Sequence, residues 1–285
     1  ADFVDDSTGT GFVHIAPGHG MDDYHLGLSV GLAIYCPVDD EGRLTPTADL
    51  PREQQLPESL VGKSTLAKAG KSEANEAVLA LLTEKEALMR REDYSHSYPH
   101  CWRSKSPIIF RAVDQWFIRV DHTDGAPGTL PFRQQALAAI DSVNWIPDWG
   151  KNRIQGAVQS RPDWCISRQR TWGVPLPVFY DAQGAPILDP AVINKVANIF
   201  SERGTNSWFE LDDTTWSGLV GLPEGTTRRN DTLDVWMDSG LSHETVMRQR
   251  PELGFPADLY IEATDQHRGW FQSSLITSVA LNGCA

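Results

Sequence analysis

The sequence has few cysteines, no long apolar run and no overall excess of positive charge. Its four cysteines lie far apart without a Cys-x-x-Cys pair, which argues against a disulfide framework and favours a reducing compartment. Residues 99–104 resemble half a zinc knuckle whose second cysteine is replaced by Ser104, so we expect no metal site. No segment approaches the roughly 18 apolar residues of a membrane helix, and the acidic first residues lack a signal-peptide pattern. We therefore expect a soluble, cytoplasmic protein without a membrane partner.

The composition is that of a folded protein with an uneven distribution of charge. At 285 residues, with 40% hydrophobic and 22% charged residues, the chain can bury the core of one large domain or of two modest ones. A formal net charge of −13 argues against a protein that coats nucleic acid by bulk positive charge. Residues 96–180, however, contain ten Lys and Arg, six Asp, no Glu and six of the ten tryptophans. This segment is either a local nucleic-acid surface or two packed segments whose tryptophans are core.

Hydrophobic periodicity predicts an alternation of helices and short strands. Helices are predicted at 21–29, 72–88, 132–140, 151–158, 191–200 and 269–281. Strands are predicted at 9–17, 232–236 and 258–261, with a strand pair within 107–120 and extended chain at 175–180. Residues 39–70, rich in Pro, Gly and charge, are predicted to be loops. The alternation in the later half favours an α/β sheet with its ligands at the carboxyl ends of the strands.

The densest group of polar residues falls between the last predicted strand and the last predicted helix. Glu262 and Asp265 would neutralise an ammonium group, Gln266 would donate and accept hydrogen bonds, and Trp270 would wall an apolar pocket. An amino acid suits such a site. The alternative is a polar loop with a capping Asp, which explains Asp265 but not the density of polar residues.

Two other segments contain candidate site residues. His14 lies on the first predicted strand and Asp23 at the start of the following helix, with glycines between them that allow a close approach to a ligand. The alternative is a core histidine and an acid that complements the helix dipole. In residues 161–173, Arg168 and Arg170 lie between two tryptophans. They would pair with phosphates while the tryptophans stack on bases, or their stems would pack on the indoles.

Seven blocks of sequence occur in one order and spacing: 9–23, 96–99, 107–111, 144–150, 161–173, 231–240 and 258–271. Together they resemble the isoleucyl-tRNA synthetases, the class I family with an inserted editing domain. The resemblance implies an α/β fold: part of a Rossmann-like class I catalytic sheet plus part of an inserted β-rich α/β editing domain. Residues 1–95 would be the C-terminal part of the editing domain, 96–160 the connecting ribbon and return, and 161–285 the middle of the catalytic domain.

The resemblance also implies roles for individual residues. In the editing pocket, Asp23 would grip the α-ammonium of a mischarged aminoacyl ester, and His14, which distinguishes the isoleucine type, would limit the side chain that fits. Four residues would line the pocket for isoleucine or isoleucyl-adenylate: Glu262, Asp265, Gln266 and Trp270. Four others would contact the tRNA acceptor end or link the two domains: Trp116, Arg168, Arg170 and Trp172.

The resemblance implies an aminoacyl-tRNA ligase with proofreading hydrolase activity. The full protein would activate L-isoleucine with ATP and Mg²⁺, transfer it to tRNA(Ile) and hydrolyse valyl-tRNA(Ile). The sequence contains neither the H-x-G-H nor the K-M-S-K-S motif of the family. The threonine-rich segment of the editing pocket is absent, and Ala263 and Met237 depart from the family's usual residues. We therefore expect an internal fragment that does not activate isoleucine alone.

Two alternatives to this identification are open. A valyl-type or leucyl-type synthetase fragment would keep the fold and the reaction but change the amino acid. A free-standing tRNA-binding or editing module would lack synthesis, although residues 231–271 belong to the synthetic half of the family and would serve no editing purpose.

Overall fold

The computed structural model describes residues 4 and 7 and residues 11–67, 70–93, 95–123 and 129–285. The chain divides into two compact units, Ala1–Asp114 and Gln115–Ala285. Within the described ranges, none of the helices is both long and apolar enough to cross a bilayer.

The described residues of the first unit form two α-helices, both at predicted positions. Helix α1 spans Met21–Val30 and ends at Gly31, whose φ of 73° is the left-handed conformation that glycine adopts without strain. Helix α2 spans Glu73–Glu84, and the side chain of Ser72 caps it by accepting a hydrogen bond from the Asn75 amide at 3.1 Å. It ends four residues before the predicted end.

The rest of the first unit is mostly irregular. The described residues of the predicted loop region, 39–67 and 70, contain no α-helix and only two single turns of 3-10 helix, Arg52–Gln54 and Glu58–Leu60. The loop prediction is confirmed for them. The prediction of a strand at 9–17 is wrong for the described residues of this range. Its first residues, Gly9 and Thr10, lie outside the described residues, and residues 11–16 form no strand. Gly11 has a φ of 73°, outside the β region.

The second unit is built mainly from helices. They are α3 (Phe132–Asp141), α4 (Trp149–Gln159), α5 (Pro190–Arg203), α6 (Ser207–Glu210), α7 (Asp213–Val220), α8 (Val235–Gly240) and α9 (Trp270–Asn282). Two single turns complete them, a π turn at His243–Met247 and a 3-10 turn at Thr264–Arg268. The predictions of α3, α4, α5 and α9 are confirmed to within a few residues. The other helices lack the length that makes periodicity visible.

The strands among the described residues are two residues long and pair antiparallel in three small sheets. They are β1 (Phe117–Ile118), β2 (Trp164–Cys165), β3 (Ser167–Arg168), β4 (Phe179–Tyr180), β5 (Pro186–Ile187), β6 (Thr227–Arg228) and β7 (Thr232–Leu233). Strand β1 pairs with β2, β3 pairs with β7, and β4 lies between β5 and β6. Helices with small sheets are consistent with the α/β class, but the described strands form no parallel sheet.

Three strand predictions need correction. The strand pair predicted within 107–120 is reduced to β1, whose partner β2 lies far along the chain. The strand predicted at 232–236 stops at Leu233 because the side chain of Asp234 accepts a hydrogen bond from the Trp236 amide and starts α8. Residues 258–261 form no strand, since a strand requires a paired neighbour and no described segment pairs with them.

Two hydrophobic cores stabilise the second unit. The helical core consists of side chains from α3, α4 and α9 together with Val120 and Trp164, and Ile140 and Ile154 are fully buried in it. The tryptophan core consists of Phe179, Val192, Val196, Trp208, Trp216 and Val220. Trp208 and Trp216 are both 0% exposed, with ring centroids 5.1 Å apart. Their indole N–H groups donate to the carbonyls of Arg229 and Ser207 at 3.1 and 3.2 Å, so the burial leaves no indole donor unsatisfied.

We expect Trp216→Ala to destabilise the chain strongly because it empties a fully buried site. The expected loss in free energy of unfolding is about 3–5 kcal/mol, measured by urea denaturation. Leu188→Ala, at an exposed position outside both cores, is the control and is expected to change the value by about 0.5 kcal/mol or less. Equal effects of the two substitutions would contradict the assignment of this core.

Candidate functional site

The polar residues that precede α9 form a compact corner at the start of that helix. The Gln266 carbonyl oxygen Oε1 accepts a hydrogen bond from the Trp270 amide at 2.8 Å, and the Gln266 Nε2 group donates to Asp265 Oδ2 at 3.1 Å. The Glu262 carboxylate accepts from the Ala263 amide at 2.8 Å. The structure therefore brings Asp265, Gln266 and Trp270 together, with Gln266 satisfying an amide at the helix start.

An aromatic pair forms the apolar side of this corner. The Trp270 and Tyr260 rings stack with centroids 4.4 Å apart and planes 20° apart. The Trp270 Nε1–H group donates to the Ser239 carbonyl at 2.9 Å and lies 3.3 Å from Ser242 Oγ, which fixes the ring orientation. Sequence analysis missed Tyr260, because a tyrosine in a segment predicted as a strand carries no signal of a neighbour ten residues later.

Gly269 allows the corner to close. A Cβ atom at this position would lie 2.5 Å from Gln266 Oε1 and 3.0 Å from the Trp236 ring atom Cη2. Both distances are shorter than ordinary contacts, so a larger residue would displace either the Gln266 amide or the Trp236 ring. The glycine therefore permits α8 and the polar turn to approach each other closely.

His267 anchors the polar turn to the protein interior. Its side chain is buried, and Nδ1 lies 2.6 Å from the Thr264 carbonyl. The ring packs near Trp145, Trp149 and Phe271, with centroid distances of 6.1, 6.4 and 5.5 Å. His267 thus differs from the nearby polar residues Glu262 and Asp265, whose side chains are exposed.

A buried carboxyl group lies at the start of α8. The side chain of Asp234 is 5% exposed, Oδ2 accepts from Trp164 Nε1 at 2.9 Å, and the same oxygen lies 3.1 Å from the Arg168 guanidinium. The other oxygen accepts from the Trp236 amide at 3.4 Å. Sequence analysis missed Asp234, although an acid immediately before a helix is a typical cap.

Burial changes the proton affinity of groups near this carboxyl. Burial raises the pKa of Asp238, and the negative charge of Asp234 raises it further. Burial lowers the pKa of Arg161, which the charge of Asp234 partly offsets. Arg161 lies over the Trp164 ring at 4.9 Å and donates to the Gln272 Oε1 atom on α9.

The two residues predicted for the editing pocket both lie in the first unit. Asp23 is half-buried in α1, and its Oδ2 atom accepts from the Ala16 amide at 2.9 Å. This bond joins the first turn of α1 to the segment that precedes it. The His14 side chain is exposed, and the described part of the chain contains no hydrogen bond between His14 and Asp23.

The four residues predicted to contact tRNA separate into two pairs. Trp116 donates from Nε1 to the Tyr180 hydroxyl at 3.1 Å, and Arg168 is paired with Asp234, so both stabilise the second unit. Arg170 and Trp172 are exposed, Trp172 to 93%. They lie in the loop after β3, whose Gly173 has a φ of 144°, which a side chain rarely adopts.

In the described ranges, the cysteine and acidic side chains do not come together in a way that could bind a metal ion. No group of three His, Cys, Asp or Glu residues is placed to hold a metal ion there, and all four thiols are free. The pKa of the Cys101 thiol is lowered to about 7, mainly by hydrogen bonds from Ser104.

Comparison with known proteins identifies the family. The family model for tRNA synthetases class I (I, L, M and V) matches residues 23–285. Proteins named isoleucine--tRNA ligase align with the whole chain: 51% identical in Methylacidiphilum infernorum, 49% in Microcystis aeruginosa and 46% in Methylococcus capsulatus. The chain spans 29%, 28% and 28% of the length of these relatives. Because the family model covers nearly all of it, the chain belongs to the class I tRNA synthetases.

Proposed function

We propose that this chain is an internal part of an isoleucine--tRNA ligase. The complete protein activates L-isoleucine with ATP, transfers it to tRNA(Ile) and hydrolyses valyl-tRNA(Ile). The observation that carries this proposal is the identity of about half of all residues, along the whole chain, with proteins named isoleucine--tRNA ligase. The same names favour isoleucine over valine or leucine as the substrate.

The chain would contribute parts of two domains. Residues 1–95 belong to the later part of the editing domain, 96–160 to the connecting ribbon and the return, and 161–285 to the middle of a Rossmann-like catalytic domain. A catalytic sheet of this kind would need strands from elsewhere in the complete protein, since the described strands of this chain pair only in small antiparallel sheets.

The polar corner would bind the amino acid. The exposed carboxylates of Glu262 and Asp265 attract the α-ammonium group, and Gln266, held by its bond to the Trp270 amide, presents a fixed polar group. The stacked rings of Tyr260 and Trp270 offer an apolar surface for a branched aliphatic side chain. A charged recognition point beside an apolar wall is the arrangement that an α-amino acid requires.

The editing reaction would take place in the first unit. An apolar pocket discriminates weakly between isoleucine and valine because they differ by one methylene, and the isoleucine enzymes are themselves the standard example of this limit. A second, hydrolytic site removes the error. Asp23 would bind the α-ammonium of the mischarged ester, and His14 would limit the side chain that fits. A positioned water would attack the ester carbonyl, so no nucleophilic side chain is needed.

The tRNA acceptor end would meet the exposed pair of the second unit. Arg170 supplies positive charge for a phosphate and Trp172 an indole on which a base stacks. Trp116 and Arg168 would support this surface indirectly, because their polar groups already bond to Tyr180 and Asp234. ATP, with Mg²⁺, would be a substrate of the complete protein.

We expect the isolated 285-residue chain to show no isoleucine-dependent exchange of pyrophosphate into ATP. The physical reason is that it has neither of the two motifs that bind ATP in the family, H-x-G-H and K-M-S-K-S. The measurement is incorporation of labelled pyrophosphate into ATP, with the complete protein as the positive control. Exchange by the isolated chain would contradict the proposal.

We expect Asp23→Ala in the complete protein to let valyl-tRNA(Ile) accumulate while isoleucine activation is unchanged. The substitution removes the charge that would hold the ammonium group of the ester. Asp22→Ala is the matched control, because Asp22 lies in the same first turn of α1 and has the same effect on the helix dipole. Unchanged deacylation in Asp23→Ala, or an equal loss in both variants, would remove Asp23 from the mechanism.

We expect Glu262→Gln in the complete protein to raise the KM for isoleucine about 10- to 100-fold, since a hydrogen bond to a charged group contributes about 1.5–3 kcal/mol. The folded state is expected to be unaffected, because Glu262 contacts the neighbouring Ala263 amide at an exposed position. Pyrophosphate exchange at varied isoleucine measures the KM. Glu252→Gln, another exposed acid, is the control, and an equal KM in both variants would refute the role of Glu262.

A further inference from the structure

We infer that Asp234 is a positioning residue for the amino-acid pocket, acting through α8 on the orientation of Trp270. This inference rests on the proposed function of the polar corner. Asp234 lies outside that corner, and its carboxyl group faces Trp164 and Arg168 instead. Its effect on the pocket would therefore be transmitted by the protein rather than by contact with the substrate.

The first step is the attachment of α8 to the strands. The Asp234 amide donates to the Ile166 carbonyl at 2.7 Å, between β2 and β3, and the Asp234 carbonyl accepts from the Met237 amide at 2.7 Å. Its side chain caps the Trp236 amide. Backbone and side chain of one residue thus fix both the position at which α8 begins and the direction in which it leaves β7.

The second step is the contact between α8 and the corner. The Ser239 carbonyl at the end of α8 accepts the Trp270 indole hydrogen at 2.9 Å. The Trp236 ring packs against Gly269, so closely that a Cβ atom there would lie 3.0 Å from it. A shift of α8 would therefore move the hydrogen-bond acceptor of Trp270 and the ring beside Gly269 together.

Because α8 packs closely on α9, a shift of α8 would also displace α9. A Cβ atom on Gly240 would lie 3.1 Å from the Ser273 backbone, which shows that the two helices touch through their main chains. The Gly240 carbonyl accepts from the buried Thr277 hydroxyl at 2.7 Å. Close-packed interiors with few voids pass on displacements rather than absorb them.

The charge of Asp234 is needed as well as its shape. Arg168 forms an ion pair with it, and the half-buried Arg161 lies over the ring of Trp164 that donates to it. The Arg161 Nε atom is buried without a hydrogen-bond partner. Asparagine at position 234 would leave Arg168 without its buried ion-pair partner and Arg161 without the charge that offsets its burial. One of its amide hydrogens would face a donor. We expect the start of α8 to move in response.

The test compares Asp234→Asn with the unchanged complete protein in isoleucine-dependent pyrophosphate exchange. We expect the KM for isoleucine to rise about tenfold or more, as small misplacements of binding groups do, while the KM for ATP stays the same. A structural loss of active protein would lower the apparent kcat and leave both KM values unchanged. A rise in the KM for isoleucine without a change in the KM for ATP therefore indicates a positioning role.

Asp121→Asn is the matched control. Asp121 forms a bidentate ion pair with Arg133, with both distances 2.7 Å, and Arg133 also bonds to the Val158 carbonyl at the helical core. This variant removes a carboxylate from an arginine of the same unit without touching α8. We expect a lower thermal midpoint and an unchanged KM for isoleucine.

Trp164→Phe provides a second variant in case Asp234→Asn does not fold. It keeps an aromatic ring at this buried position but removes the pyrrole ring that carries the donor to Asp234, so we expect a smaller rise in the KM for isoleucine in the same direction. An unchanged KM in both variants, or an equal rise in Asp121→Asn, would overturn the positioning role. If the unchanged complete protein fails to exchange with isoleucine, the proposed function itself is wrong, which distinguishes the two failures.

Discussion

The buried carboxylate of Asp234 is the interaction on which the site's architecture depends. A charge removed from water is costly unless it is paired and hydrogen-bonded, and Asp234 meets this condition with an indole donor, a guanidinium and a helix amide. These three partners come from β2, β3 and α8. One charged group therefore connects elements that are separated by about 70 residues of chain, in a region where the strands themselves are only two residues long.

Small and hydroxylated residues let the elements around this carboxylate pack closely. Gly240 and Gly269 are positions where a Cβ atom would meet main chain or ring atoms at about 3 Å or less. Helix α9 buries Gln272, Ser273, Ser274, Thr277 and Ser278, which is unusual for an interior helix and requires internal partners such as the Gly240 carbonyl and His243. The polar corner thus lies on closely packed helices, as a preorganised binding site requires.

Elements that depend on residues close together in sequence could be predicted, whereas elements that depend on distant residues could not. Helices α1, α2, α3, α4, α5 and α9 were predicted because side chains three and four positions apart lie on one face. The strands were mostly missed, since β1 and β2 pair across more than 45 residues and nothing local marks their register. The short helices α6 and α7 carry Trp208 and Trp216, whose burial depends on each other and on Phe179.

Residue type and spacing along the chain are enough to predict the main helices, the cluster of polar residues before α9 and the family resemblance. The tertiary structure alone decided which polar groups face inward. It turned His267 into the core and left Asp265 exposed two residues away, and it bound Arg168 to Asp234 while Arg170 faces solvent. The physical reason is that burial and pairing are set by partners far along the chain, such as Gln272 for Arg161.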